Sequence, residues 1–86
     1  MDFQLYSDVI LDRDVPQEGL RAGDMGTVVD RHEAPGREVG YSVEFFDMLG
    51  NTVAVVTLPG SALRAPERRD RPAVRPTSQP AHAVVA

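Results

Sequence analysis

The stretch GLRAGDMGTVVDRHE, Gly19 to Glu33, decides how this chain folds. Gly23 and Gly26 flank Asp24 and Met25, a spacing that also occurs in loops that cradle phosphate. Such loops open a helix and carry a lysine, so that free amides and a cation point at the anion. Here the β-branched Thr27, Val28 and Val29 follow at once, and the chain contains no lysine. The segment therefore predicts a turn that enters a strand, with Gly19, Gly23, Asp24 and Gly26 as structural turn residues and Asp24 accepting backbone amides.

Working outward, DVILD (Asp8 to Asp12) is a short apolar run, and VPQEGLRAGD (Val15 to Asp24) is a loop punctuated by Pro16, Gly19 and Gly23. EAPGREVG turns the chain towards YSVEFFD, Tyr41 to Asp47, which alternates with Tyr41, Val43 and Phe45 on one face and Ser42 and Glu44 on the other. MLGN supplies the glycine and asparagine of a hairpin. TVAVVTLP, Thr52 to Pro59, is its second strand, ended by proline. PGSAL predicts a single tight turn before a last short strand at Leu63 and Arg64. Five short strands in so few residues predict an all-β fold, a small five-stranded SH3-like barrel that curls to remove its edges and fills its interior with its own side chains. Gly26, Gly40 and Gly50 are expected at its bends.

Composition divides the chain at Arg64 into a barrel, residues 1–64, and a tail rich in Pro, Arg and Ala, residues 65–86. The tail has prolines at 66, 72, 76 and 80, no aromatic residue and no apolar periodicity, and is expected to be disordered. Its proline spacing lacks a PxxP register, and its closing AVVA is read as a frayed terminus. Residues 1–64 hold eleven Asp and Glu against five Arg, a balance of −6, whereas residues 65–86 hold four Arg against two acids, or +2. An acidic barrel repels phosphate backbones. There is no cysteine to form disulfides or thiolate metal sites, and neither a secretion signal nor a membrane span is legible. We expect a cytoplasmic protein.

These segments, from DVILDRDVPQEGLRAGDMGTVVDRHE to GYSVEFFDMLGNTVAVVTLPGSALR, resemble a family of short bacterial proteins catalogued as a domain of unknown function, over about Leu5 to Arg64. The resemblance implies an SH3-like barrel and a small interaction or accessory module, with no established activity. The GDMGTV entry is also similar, more loosely, to KOW-type barrels of ribosomal and transcription proteins. Those surround the glycine with lysine and arginine, whereas Arg21 and Arg31 here stand among Asp24, Asp30 and Glu33.

No catalytic, cofactor or metal site is expected. His32 has Glu33 beside it, His82 lies far off in the tail, and a metal needs three or four convergent ligands. Ser7, Ser42, Ser61, Thr27, Thr52 and Thr57 stand in no nucleophile elbow or triad-like context. The residues left for function are at the surface. FFDMLG places Phe46, Asp47, Met48 and Leu49 at a hairpin tip where polar residues are usual, so this is the expected protein-binding site. Asp12, Asp14 and Glu18 in the early loop would steer a basic partner. The chain is thus expected to be a non-enzymatic interaction module, an accessory or inhibitor of antitoxin or immunity type, with self-association a further use of the same patch. The alternative is a KOW-like nucleic-acid-binding barrel that uses Arg68, Arg69, Arg71 and Arg75.

Overall fold

A computed structural model of the chain describes residues 2–76. It contains β1 (Asp8–Leu11), β2 (Met25–His32), β3 (Gly40–Phe46), β4 (Thr52–Pro59) and β5 (Leu63–Arg64), with short 3-10 turns at Pro16–Glu18 and Gly60–Ala62. The strands form one antiparallel sheet in the order β4-β3-β2-β1-β5, curled as a half-barrel of SH3-like form. The fold class is the one its strand and turn pattern predicts. The expected removal of edges is corrected, because β4 and β5 remain the two outer strands. β5 is only two residues long and carries no ladder across to β4.

The alternation in β3 has the expected consequence. Tyr41, Val43 and Phe45 are buried and pack with Val9, Val28 and Leu58. The early loop is more ordered than its glycines and proline suggest. Val15 and Leu20 are buried and bridge each other across the 3-10 turn, and Gly19 closes that turn at φ 71°. Asp24 Oδ2 accepts the Arg21 amide at 2.9 Å, and Asp14 Oδ1 accepts the Ala22 amide at 2.9 Å. Apolar anchors inside a polar loop thus hold it against the barrel.

Gly26 requires a correction. It lies within β2, paired with Val9 on one side and Phe45 on the other, rather than at a turn. A Cβ there would stand 2.6 Å from Val43 Cγ1 and 2.8 Å from the Glu44 carbonyl oxygen. Close approach of β2 to β3 is what demands glycine. Gly40 likewise begins β3, whereas Gly50 is at the hairpin turn with φ 87°.

Residues 65–76 form no helix or strand, as their composition implies, yet they are tied to the barrel. Arg64 clamps Asp70 through two hydrogen bonds of 2.9 and 2.8 Å, and Asp70 Oδ2 also accepts the Glu67 amide at 2.6 Å. Arg75 reaches back to Asp24 Oδ2 at 2.5 Å. Arg75 and Asp24 are 51 residues apart, so charge counting alone does not reveal that pair. Pro80, His82 and the closing AVVA lie outside the described residues. Among the described residues no helix is long and apolar enough to cross a membrane.

The Asp70 clamp has a pH signature. The Arg64 hydrogen bonds first, and the Glu67 amide second, hold the Asp70 carboxyl well below the ordinary carboxylate range. A carboxylate with a depressed folded pKa contributes its full stability above its unfolded value of about 3.9, and loses that contribution progressively as pH falls from there to the folded value. We expect protection of the Glu67 and Asp70 amides to persist at pH values where free aspartate is already half protonated. Asp70→Asn should abolish that protection at neutral pH. Unchanged exchange in the variant would show that the clamp does not hold this segment.

Candidate functional site

The β3–β4 hairpin tip is built around one carboxylate. Asp47 Oδ1 accepts the amides of Leu49 and Asn51, each at 2.9 Å, and Oδ2 accepts Asn51 Nδ2 at 3.2 Å. Main-chain bonds from Asp47 N to Asn51 O (2.8 Å) and from Gly50 N to Asp47 O (3.0 Å) close the same loop. The Asn51 amide, then its side chain, lowers the Asp47 pKa. A side chain so occupied organises the turn, the role that short polar residues play in such loops. Met48 and Leu49, at 81% and 88% exposure, stand on top of this frame, and Phe46 is 44% exposed on the outer face.

The apolar surface extends beyond the tip to residues not singled out in the sequence. Gly26 pairs with Phe45, so register places Met25 beside Phe46 one position further on. Across β3, Phe46 pairs with Thr52, and a bulge between the Phe45–Ala54 and Phe46–Thr52 pairs accommodates Val53. Val53 and Val55 then share the outer face of β4. Met25, Val53 and Val55 are each more than half exposed. TVAVVTL carries apolar residues on both faces, so no alternation singles out the two valines as exposed.

Antiparallel order puts the early loop at the same end of the barrel as the tip, because the loop leads directly into Met25. The structure separates its acids by role. Asp12 and Glu18 are exposed, whereas Asp14 is taken up by the Ala22 amide and Asp24 by Arg21 and Arg75. Of the tail arginines, Arg75 is paired with Asp24, Arg69 contacts Glu67 at 2.7 Å, and Arg71 donates to the Arg68 carbonyl at 3.1 Å. They do not converge on one basic face through these contacts.

One polar cluster lies on the outer sheet face. His32 Nε2 is 2.8 Å from Ser42 Oγ, which is 3.0 Å from Thr57 Oγ1, and Asp30 Oδ2 is 4.0 Å from the same His32 nitrogen. In a hydrolytic triad the carboxylate orients the imidazole through its other nitrogen. Here both neighbours compete for Nε2 on an open surface, and the cluster acts as a cross-strand hydrogen-bond row. Among the described residues no three His, Asp or Glu side chains converge as a metal site would require. Two depressions, of about 270 and 280 Å³, are open to solvent, one lined by Glu33, Pro35 and Arg37 and the other by Asp2, Glu38 and Ser61.

A family model described as Domain of unknown function (DUF4926) matches residues 5–65. No curated protein and no solved structure matches the chain.

Proposed function

The chain belongs to this family of unknown function, and from that premise we propose that its barrel is a non-enzymatic protein-interaction module, an accessory or inhibitor of a larger protein. Contact is made through Phe46, Met48 and Leu49, with Met25 extending the patch and Asp12 and Glu18 steering a basic partner.

The observation that carries this reading is the pairing of exposure with rigidity at Met48 and Leu49. Exposed apolar side chains on a loose loop lose much conformational entropy on binding. The Asp47 network sets this turn in advance, and so lowers that cost. Large apolar side chains in a preformed turn fit the small, desolvated centre of an interface.

Leu49→Asp places a charge at the centre of the patch while touching no core residue. We expect binding of the co-purified partner to weaken at least tenfold, measured by titration, with the midpoint of thermal unfolding unchanged. Equal affinity in the variant would remove the tip from the interface. Salt-sensitive RNA binding that vanishes when residues 65–86 are deleted would instead favour nucleic acid as the partner.

A further inference from the structure

β4 is an outer strand, and among the described residues its far edge pairs with no other strand. The ladder determines which backbone groups face that edge. Gly60 donates its N–H to the Val39 carbonyl at 2.9 Å, and the neighbouring Gly40–Pro59 pair contains a residue with no N–H. Bonded and non-bonded pairs alternate in an antiparallel ladder. Tyr41–Leu58 and Val43–Val56 are therefore the bonded pairs, and Val55 and Thr57 turn their N–H and C=O groups outward.

Proteins blunt such edges with charge, proline or a bulge. β4 has its bulge next to Val53 at one end and Pro59 at the other. Between them the run Ala54 to Leu58, AVVTL, has neither device. β4 also carries no charged residue, whereas β1 holds Asp8, β2 Asp30 and Arg31, β3 Glu44 and β5 Arg64. Both faces of this run are incompletely covered. Ala54 and Val56 on the inner face are only partly buried, and Val55 and Thr57 on the outer face are exposed.

We infer that β4 pairs antiparallel with β4 of a second copy of this chain, about a two-fold axis at Val56, to form one continuous sheet. Val55 then faces the partner's Thr57 and Thr57 faces the partner's Val55, forming four main-chain hydrogen bonds, while Ala54 lies opposite the partner's Leu58. The run is symmetric about Val56, so this register uses all of it and stops short of both the bulge and Pro59. An isologous contact of this kind closes at a dimer.

Electrostatics favour this occupant. Two barrels of net negative charge repel unless they meet where charge is absent, and β4 is that strand. The nearest acid on the outer face, Glu44, is one strand in from the edge. It would lie three strand spacings from its symmetry mate, about 14 Å, beyond the screening length of about 8 Å at physiological salt. A highly charged foreign strand finds no counter-charge on this edge.

The contact is smaller than that of an obligate dimer, so association should appear at roughly micromolar to millimolar concentration. Sedimentation equilibrium of the full chain over that range should show dimer rising with concentration, and the amides of Val55 and Thr57 should exchange more slowly as it does. Val55→Pro removes one outward N–H and spares every bond to β3, since proline is tolerated where the N–H faces an edge. It should be monomeric with an unchanged far-ultraviolet circular dichroism spectrum. Thr57→Glu, which brings two carboxylates together across the axis, should weaken association at least tenfold even if the proline variant fails to fold. Leu49→Asp should leave the dimer intact, which separates this edge from the hairpin tip. A monomer across the whole range, a dimer indifferent to Val55→Pro and Thr57→Glu, or an edge that captures only strands of another protein would overturn the inference.

Discussion

Alanine at Gly26 is expected to cost about 1–3 kcal/mol of stability, seen as a lower urea midpoint with an unchanged denaturant slope. The added methyl would meet Val43 Cγ1 at 2.6 Å and the Glu44 carbonyl oxygen at 2.8 Å. Neither neighbour can retreat cheaply. Val43 is fully buried and stiff at χ1, and the Glu44 carbonyl belongs to the backbone of β3, which is paired on both sides. Relief must come from parting β2 and β3, the pair that also sets Met25 beside Phe46. Gly40→Ala is the control, because its nearest neighbours, Leu58 O and Thr57 Cγ2, lie at 3.6 and 3.9 Å and its φ needs no left-handed conformation. An unchanged midpoint for Gly26→Ala would mean that the strands are not packed as tightly as this geometry requires.

That glycine also shows where a sequence stops being readable. Gly23 could be read as a turn from its own neighbours, and it has φ 98° in the structure. Gly26, three residues on, is demanded by side chains from a different strand, which no local pattern announces. The same distinction runs through the molecule. Tyr41, Val43 and Phe45 declare their shared face by alternation, and Gly50 and Asn51 declare the hairpin. Phe3 is an isolated aromatic ahead of any periodic segment, and only the fold reveals it as buried. The Arg64–Asp70 and Arg75–Asp24 pairs join residues whose proximity depends on the path of the chain. Strand counting predicts a curled sheet, but whether its last strand is long enough to cover an edge depends on where Pro59 and the following turn fall. At the candidate site, the hairpin tip was legible because apolar residues at a turn are conspicuous. Met25, Val53 and Val55 join the patch only through register.

Tyr41→Ala is expected to destabilise the barrel more than Gly26→Ala does, by about 3–5 kcal/mol. Native proteins have total stabilities of roughly 5–15 kcal/mol, so the loss is a large fraction of the whole and should appear as a sharply lower unfolding midpoint. Tyr41 is fully buried, and its ring meets Phe3 edge-on at a centroid distance of 5.2 Å and an interplanar angle of 78°. Its hydroxyl accepts the Phe3 amide at 3.0 Å and donates to Asp2 Oδ1 at 3.4 Å. The side chain therefore does two things: it fills the core, and it fastens the N-terminal segment over it. Tyr41→Phe separates them. The ring pair survives, but a buried amide loses its acceptor, at a cost of about 1–3 kcal/mol. In a domain this small each kcal/mol lowers Tm by about 4–8 °C. Loss of the fastening should also speed amide exchange at Phe3, and at Tyr6, whose N–H meets the Val28 carbonyl at 2.6 Å, before it affects the β3 ladder. Uniformly faster exchange across all strands would assign the hydroxyl to global stability alone, whereas loss confined to Phe3 and Tyr6 identifies it as the clasp that holds the N-terminal segment to the barrel.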